Sequence, residues 1–338
     1  MIDVLVAGGG PAGLATAVHA ALLGMEAVVV EPRTGPVDKA CGEGIMPGGV
    51  AALAAMGVTV PGRPLRGIHY LDDRRTVRAT FGPATGLGAR RVALHDALAR
   101  RAAELGVKTV TGRITHVVQD RDGVEAAGLR ARWLVAADGL HSPLRRHLGL
   151  DAPAGGVRRY GLRRHYRVAP WTDFVEVHWS RGGGEAYVTP VGDELVGVAI
   201  LSSARRPYEE QLAGFGGLAG RLRGPAVTPV RGAGPFRQRA RARRAGRVLL
   251  VGDAAGYVDA LTGEGVSLAV RSAEILARCL AEDRPQDYER GWRRLSRTHR
   301  LLTGALVQVA RRPGTARLVV PAARGLPGVF TSIVRLLA

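Results

Sequence analysis

Apolar residues dominate the first thirty positions of the chain, but glycine and proline divide them into short blocks. Residues 4–7 are typical of a buried strand, 12–23 of a helix, and 27–30 of a second strand. Gly8 to Pro11 interrupt the run, and Gly24 suits the end of the helix. A membrane span would not be broken at these points, so the pattern predicts a buried βαβ unit.

Two later segments repeat the strand pattern, and each ends in Asp and Gly. Residues 133–137 precede Asp138 and Gly139, and residues 248–251 precede Gly252 and Asp253. An apolar helix is predicted over residues 266–280. Because apolar strands of this kind are typical of a parallel sheet, we expect them to return to one sheet despite their separation along the chain.

A second kind of segment alternates apolar and polar positions, over residues 64–82 and 156–240. Within it, residues 174–179, 186–191 and 195–201 predict strands. Farther on, residues 288–309 are typical of a helix rich in Arg and Leu, and 330–337 of a short amphipathic tail.

Length and composition exclude several classes of protein. The chain has 338 residues, 46% of them apolar, which suits about two domains and excludes disorder and coiled coil. Its net charge is +19, and of its 48 basic residues only Lys39 and Lys108 are lysine. That charge suits an anionic partner, or arginine placed wherever a solvated cation is tolerated. No nucleic-acid partner is expected, because the arginines are scattered and no known nucleic-acid-binding signature accompanies them.

The two cysteines, Cys41 and Cys279, lie in unlike contexts and do not form a disulfide framework. Cys279 falls in a predicted helix and is expected to be a core residue. A reducing cytoplasm is therefore the expected location, in keeping with a chain that opens on an apolar strand without a basic leader. No metal site is predicted.

The first turn carries the first chemical motif, G-x-G-x-x-G, formed by Gly8, Gly10 and Gly13. Gly8 would allow the tight turn, Gly10 the approach of a pyrophosphate, and Gly13 the close packing of helix on strand. The helix N-terminus would offer free N–H groups to the phosphates, and Glu31, ending the next strand, would bind a ribose. The motif predicts a dinucleotide site, but by itself leaves FAD and NAD(P) open.

Five motifs in order resemble those of FAD-dependent flavoproteins of the para-hydroxybenzoate hydroxylase type, in the geranylgeranyl reductase-like branch. Three are the glycine motif, Asp138-Gly139 with Ser142 and Arg145, and Gly252-Asp253. The stretches KACGEG at 39–44 and LTGEG at 261–265 point to the branch. The resemblance covers about residues 1–290 and implies an α/β fold, with a Rossmann-type FAD-binding domain built on a parallel sheet, an antiparallel β-sheet substrate domain and C-terminal helices.

The implied domains are discontinuous. Residues 1–63, 88–155 and 244–285 would form the FAD-binding domain, 64–87 and 156–243 the substrate-binding β domain, and 286–338 a C-terminal helical segment.

The resemblance implies FAD as resident cofactor and NAD(P)H as transient reductant. Asp253 would bind the ribityl-diphosphate region, and Arg91, with Arg90 as its adjacent competitor, would contact FAD. The helix that begins near Gly263 would offer N–H groups to the flavin ring, whose reduced form carries negative charge. The predicted cofactor residues are Gly8, Gly10, Pro11, Ala12, Gly13, Glu31, Cys41, Gly42, Gly44, Arg91, Asp138, Gly139, Asp253, Gly263, Gly265 and Val266.

Some of these residues also have a purely structural interpretation. Asp138 could cap a turn after its strand, and Arg145 would bind phosphate or lie in solvent. Cys41 is expected to contact the cofactor through its backbone rather than act as a nucleophile. Glu264 is a proton donor or merely a first-turn acid. The catalytic candidates are Glu264, Tyr187 and His165, all weakly supported.

Aromatic side chains make up only 5% of the chain but cluster in the alternating segment. Such a cluster suits a flat or lipophilic substrate, although sheet packing would account for about half of it. The cluster comprises Tyr160, His165, Tyr166, Trp171, Phe174, His178, Trp179 and Tyr187.

One arginine run is dense, and in it Arg237, Arg239, Arg241 and Arg243 alternate with other residues. A solvated edge strand is one interpretation. Capture of NADPH phosphates or of an acidic substrate is the other.

The predicted function is an FAD-dependent monooxygenase that hydroxylates or epoxidises a lipophilic or aromatic small molecule with NAD(P)H and O2, as in polyketide or terpenoid biosynthesis. A geranylgeranyl reductase-like flavoprotein that saturates prenyl double bonds is the alternative, favoured by the two branch stretches. A non-catalytic flavin-binding protein is the third. Peripheral membrane contact through the basic tail is not favoured, and the oligomeric state stays open.

Overall fold

The computed structural model describes residues 1–180, 183–310, 315 and 318–337. The strands are β1 (Ile2–Ala7), β2 (Ala27–Glu31), β3 (Gly44–Ile45), β4 (Arg63–Leu65), β5 (Gly67–Leu71), β6 (Thr76–Thr80), β7 (Gly86–Gly88), β8 (Lys108–Thr111), β9 (Val118–Gln119), β10 (Val124–Ala126), β11 (Leu129–Ala136), β12 (Asp151–Ala152), β13 (Tyr160–Arg167), β14 (Phe174–Trp179), β15 (Glu185–Gly192), β16 (Leu195–Ser202), β17 (Arg231–Ala233), β18 (Arg239–Ala240), β19 (Arg244–Ala245) and β20 (Val248–Leu250).

The helices are α1 (Pro11–Leu22), α2 (Pro47–Ala55), α3 (Arg91–Glu104), α4 (Pro143–His147), α5 (Tyr208–Ala213), α6 (Leu218–Arg221), α7 (Gly265–Ala281), α8 (Tyr288–Ala310), α9 (Val319–Gly325) and α10 (Pro327–Leu337). Short 3-10 helices lie at Gly252–Ala255 and Pro285–Asp287.

The apolar strands of the sequence meet in one sheet, in the order β19-β20-β11-β1-β2-β8. Parallel pairs join β1 to β11 and β2, and β11 to β20, with Ala7 opposite both Ala136 and Val30. Val4, Leu5 and Val6 are fully buried, because α1 covers the sheet and itself packs on α3 and α7. The predicted return of three distant strands to one sheet is confirmed.

Because these strands are parallel, their carboxyl ends lie along one edge of the sheet. Gly8 follows β1, Glu31 ends β2, Asp138 lies just beyond β11, and Asp253 lies just beyond β20. Ligands of open α/β sheets bind at such an edge. The topology thus brings together motifs that lie far apart in the chain.

The second sheet has the order β17-β13-β16-β15-β14-β5-β6, and every pairing except β14 with β5 is antiparallel. One face packs on α5 and α6 through side chains such as Tyr166, Val188 and Val198. The other face carries Gly161, Tyr187 and Leu201 and borders the cavity described below. Helices therefore cover one face of this sheet and a cavity opens on the other.

The C-terminal helices close the structure. Tyr288 at the start of α8 is fully buried, and its hydroxyl donates to the Leu250 carbonyl oxygen at 2.9 Å. Phe330 and Val334 of α10 are buried in the apolar cluster of the second sheet. The predicted amphipathic tail thus places its apolar face in the core. None of the described helices has the length and apolarity required to cross a membrane.

Candidate functional site

A cavity of about 690 Å³ lies where the edge of the parallel sheet meets the second sheet. It is bordered by the N-terminus of α1, the loop at 39–44, the start of α7 and the open face of the second sheet. The predicted cofactor residues that line it are Gly10, Pro11, Ala12, Cys41, Gly42, Gly44, Arg91, Asp138, Gly139, Asp253, Gly263, Gly265 and Val266.

Gly8 and Gly13 do not line the cavity. They lie beneath it, packed closely against other backbone atoms. Gly8 has φ +109°, and a Cβ there would lie 2.6 Å from the Ala137 carbonyl oxygen. A Cβ on Gly13 would lie 1.9 Å from the Gly8 carbonyl oxygen. A Cβ on Gly10, in contrast, would meet no protein atom within 4 Å. The protein therefore packs tightly against Gly8 and Gly13 but leaves open space beside Gly10. In that space the N-terminus of α1 offers its N–H groups.

Glu31 lies behind this turn, where its side chain is only 4% exposed. One carboxylate oxygen accepts the Gly9 N–H at 2.7 Å, and the other accepts Arg33 Nε at 2.6 Å. Burial alone would raise the pKa of Glu31, but the bonds from Arg33 and Gly9 outweigh it and hold that pKa below its usual value. Glu31 is an ionised acceptor at the end of β2.

Comparison with protein families decides the class of the site. The family described as FAD binding domain matches residues 1–179. The chain belongs to this family. It is an FAD-dependent oxidoreductase of an α/β fold, and the cavity at the sheet edge is the candidate site for FAD.

Curated relatives include reductases and a monooxygenase. The chain is 30% identical to menaquinone reductase of Mycolicibacterium smegmatis, over 88% of this chain and 80% of that protein. It is 27% identical to digeranylgeranylglycerophospholipid reductase 1 of Methanothermobacter thermautotrophicus, over 83% of this chain and 77% of that protein. It is 26% identical to rifampicin monooxygenase of Streptomyces venezuelae, over 84% and 64%. The predicted family resemblance is confirmed.

Solved structures agree on the fold. A flavoprotein/dehydrogenase from Cytophaga hutchinsonii superposes with a TM-score of 0.77 at 19% identity, covering 99% of this chain and 97% of that one.

Two orphaned polar atoms show that the cavity suits FAD. Arg91 is 7% exposed, and its Nη1 is buried without a hydrogen-bond partner. Asp138 Oδ1 is also buried and unpaired, while its Oδ2 accepts the Leu144 N–H at 3.0 Å. Buried polar atoms are seldom left unpaired, and both residues line the cavity. Asp138 thus caps α4 and faces the cofactor space at once, so both of its sequence interpretations fit the geometry.

Charge around the cofactor space is mixed. Burial, together with the nearby Arg33 and Arg91, lowers the pKa of Lys39. Burial raises the pKa of Asp253, against the opposing effect of Lys39 and Arg91. Lys39 and Arg91 therefore give the cavity lining two cationic side chains that would suit the phosphates of a bound dinucleotide.

Arg145 neither binds phosphate nor lies in solvent, so both sequence expectations for it are wrong. It is 1% exposed, and its Nε donates to Asp151 at 2.7 Å. Its other nitrogens donate to the carbonyl oxygens of Ala254 and Leu140, each at 3.1 Å, and to Gln238. Arg145 ties the Asp-Gly motif to the Gly-Asp motif because its rigid fork reaches several acceptors at once.

His165, a catalytic candidate from sequence, lies in a buried side-chain network and not in the cavity wall. It is fully buried, and it does not line the cavity. Arg163 Nη1 lies 3.0 Å from Nδ1, and because a guanidinium only donates, the ring proton is on Nε2. Nε2 lies 2.6 Å from Glu43 Oε2, and Glu43 Oε1 accepts the Arg91 N–H at 2.8 Å. His165 therefore helps to hold the loop at 39–44 against the start of α3.

Glu264 lies outside the cavity lining, which does not suit a proton donor to the flavin. Its carboxylate forms a close contact with His299 of α8. Thr262 Oγ1 does not cap α7 but lies 3.0 Å from Thr303 Oγ1 and 3.3 Å from His299. The network fixes the start of α7 to α8. His299 could not be identified from sequence, because no local motif marks it.

The aromatic wall predicted from sequence is only partly present. Of the eight clustered residues, only Tyr187 lines the cavity, and its hydroxyl donates to the Leu261 carbonyl oxygen at 2.8 Å. Tyr166 and Trp171 pack on the opposite face of the sheet. Phe236 and Tyr257 complete the wall instead. Tyr257 lies four positions after Asp253 of the Gly-Asp motif. This closeness to a cofactor motif is the feature of the sequence that could have predicted its place in the cavity wall.

Weak acids line this wall. Burial raises the pKa of the Cys41 thiol, against the opposing effect of Arg91. Burial, with Asp253, likewise places the pKa of Tyr257 well above its usual value. Both side chains keep their protons at neutral pH. Among the described residues, no group of His, Cys, Asp or Glu could hold a metal ion.

The dense arginine run is not one edge strand. Arg239 and Ala240 form β18, which pairs with β12, and Arg241 lies just beyond it. Arg243 is buried, donates to the Ala255 carbonyl oxygen at 3.1 Å and is paired with Glu289. The solvated edge strand is therefore wrong for Arg243.

Proposed function

We propose that this protein is a flavin-dependent reductase that adds hydrogen across a carbon–carbon double bond of a lipophilic isoprenoid substrate, with electrons from NAD(P)H. The observation that carries the proposal is the Cys41 thiol, a protonated acid in the wall of the FAD cavity. The names of the relatives favour the same direction, since the menaquinone reductase is more similar to this chain than the rifampicin monooxygenase is.

Saturating a double bond requires a hydride on one carbon and a proton on the other. FAD, when bound, would supply the hydride, and NAD(P)H would be the source of its electrons. The proton must come from the chain or from water. An acid whose pKa is kept high by burial stays protonated at neutral pH and is a suitable donor in an apolar cavity.

Cys41 meets these conditions better than its neighbours. Its sulfur accepts the Glu43 N–H at 3.4 Å, and no described contact uses its own S–H. Tyr187, in contrast, already donates its proton to Leu261. Arg91 and Arg163 would stabilise the thiolate left after transfer, because both favour the charged form of the thiol. Tyr257 is the second donor available in the same wall.

The substrate would lie against the second sheet. Leu162, Val175, Ala199, Leu201 and Phe236 give that side of the cavity an apolar surface. A pocket of this composition binds chiefly by burial of apolar surface and suits a hydrocarbon chain.

Substitution of Cys41 tests the proposal. We expect Cys41→Ala to lower kcat by about 10²-fold or more, the usual contribution of a positioned general acid, while FAD binding is kept. Cys279→Ala, at a half-buried cysteine of α7, is the matched control. The wild-type rate should fall at alkaline pH as the thiol ionises, and Cys41→Ser should abolish that fall. Full activity in Cys41→Ala would refute the role of the thiol.

Monooxygenation is the second candidate, supported by the similarity to rifampicin monooxygenase. It predicts that one atom of ¹⁸O2 enters the product and that turnover stops without oxygen. The reductase predicts neither.

A further inference from the structure

A second cavity, of about 850 Å³, lies behind the FAD site, between the arginine run and helices α7 and α8. Asp253, Tyr257, Gly265 and Ala269 line both cavities. The two spaces therefore share a wall formed by the Gly-Asp motif and the start of α7. The second cavity is large enough for a small organic ligand.

Arginine dominates the lining of this second cavity, with eight guanidinium groups against the carboxylates of Asp253 and Asp259. Three of the arginines have partners. Arg159 pairs with Asp259 and with buried Glu185, while Arg243 and Arg293 share Glu289.

The other five arginines form no ion pair with any residue that the structure describes. All five are exposed, three of them in the arginine run and two in α8, and they are Arg237, Arg239, Arg241, Arg297 and Arg300. Like charges gathered around one space repel one another, and a bound anion would relieve that repulsion.

Two guanidinium groups of the cavity lining, the paired Arg243 and the unpaired Arg300, stack on one tryptophan ring. The Arg243 guanidinium lies 3.8 Å from the centre of the Trp292 ring, and that of Arg300 lies 5.4 Å from it. Burial lowers the pKa of Arg300, and the charges of Arg239 and Arg293 lower it further. Stacking on Trp292 and repulsion from neighbouring cations thus act on the same side chains.

An unpaired polar atom also marks the cavity. Ser296 lines it and is only 3% exposed, yet its Oγ is buried without a hydrogen-bond partner among the described residues. A hydroxyl donor among guanidinium groups is a donor set that matches the oxygens of a phosphate.

We propose that the second cavity binds the phosphate groups of a small organic phosphate. Its position behind the FAD wall suits two sources, the phosphates of a nicotinamide dinucleotide and the phosphate of a lipid headgroup. Arg239 belongs to β18 and Arg300 to α8, so two separate elements would supply donors to the phosphate. This site does not depend on the proposed reductase activity.

Binding to the oxidised, FAD-loaded protein tests the proposal without turnover. Calorimetry would compare NADP⁺ and pyrophosphate on wild type, on Arg239→Gln/Arg300→Gln, and on Arg74→Gln/Arg75→Gln. The last variant removes two exposed charges from the turn between β5 and β6 and serves as the matched control. We expect the cavity variant to bind about tenfold or more weakly, because charge-assisted hydrogen bonds are lost, and the control to bind like wild type.

The arms of the experiment separate the two sources. Binding of both NADP⁺ and pyrophosphate, lost in the cavity variant, supports the site and assigns a dinucleotide. Binding of pyrophosphate alone, with cavity-dependent sedimentation on phosphatidylglycerol vesicles, supports it and assigns a lipid phosphate. No binding of any phosphate ligand, or equal loss in the cavity and control variants, overturns it. Because no turnover is measured, failure of the reductase would leave this result unchanged.

Discussion

Glu43, in the loop at 39–44, accepts hydrogen bonds from two buried donors, and the described residues offer these donors no other acceptor. Its side chain is almost completely buried, and it accepts the Arg91 backbone N–H at 2.8 Å and the His165 Nε2–H at 2.6 Å. The first of these bonds satisfies an N–H at the start of α3, a position that lacks a side-chain cap of its own. Glu43→Ala should therefore leave both donors unpaired.

Each unpaired buried donor costs about 1–3 kcal/mol, so the loss of two predicts a fall of about 2–6 kcal/mol in the free energy of unfolding. Glu209→Ala is the control, because Glu209 pairs with Arg164 at 2.5 Å but its side chain is 64% exposed. Exposed pairs contribute about 1 kcal/mol or less. Glu43→Gln should fall between the two, since its amide oxygen can still accept one of the bonds.

Urea denaturation of the FAD-free protein at neutral pH measures these differences directly. FAD titration should show weaker binding to Glu43→Ala, because the loop that it anchors lines the FAD cavity. If Glu43→Ala and Glu209→Ala differed by less than about 1 kcal/mol, the network would not stabilise the fold as argued.

Two further predictions concern the glycine turn and a buried acid. Gly13→Ala should destabilise the FAD-free protein, because its Cβ would lie 1.9 Å from the Gly8 carbonyl oxygen, whereas Gly10→Ala, with no protein atom within 4 Å, should keep the melting temperature and weaken only FAD binding. Equal melting temperatures for the two variants would contradict the packing role of Gly13. Burial raises the pKa of Glu185 from 4.5 to about 7, despite Arg159, so the folded protein binds more protons than the unfolded chain between those values. Its unfolding free energy should fall as pH rises from about 5 to about 8, by up to about 3 kcal/mol relative to Glu185→Gln. Parallel pH profiles for the two proteins would show that Glu185 does not titrate in this range.

Apolar runs and glycine positions in the sequence predicted the strands, turns and helices that depend on nearby residues alone. The glycine turn, the strands after which Asp138 and Asp253 lie, and helix α7 follow from apolar runs and glycine positions, and each element lies within a few residues of its predicted bounds. The parallel sheet follows in turn, because apolar strands require cover on both faces. These elements were sufficient to place most of the predicted cofactor residues around one cavity.

Tertiary pairing could not be predicted in the same way. His299 meets Glu264 from 35 positions away, and His165 meets Glu43 from 122 positions away. A carboxylate or imidazole looks the same in sequence whether it faces a cofactor or another side chain. For this reason Glu264 and His165, both catalytic candidates from sequence, lie instead in side-chain networks outside the cavity lining. The burial of Arg145 was missed because two of its four acceptors are backbone carbonyl oxygens, which no side-chain pattern marks.

A single turnover without oxygen tests the proposed reductase most directly. FAD-loaded protein would be reduced under anaerobic conditions, mixed in D2O with menaquinone or a geranylgeranyl lipid, and followed by flavin absorbance and by mass spectrometry of the product. A reductase would reoxidise the flavin without oxygen, and its product would gain two hydrogens, at least one of them solvent-derived deuterium, because the donor thiol and the N–H groups of reduced flavin both exchange with D2O. A flavin that stays reduced with both substrates until oxygen is admitted, and then yields an oxygenated product, would contradict the proposed reductase.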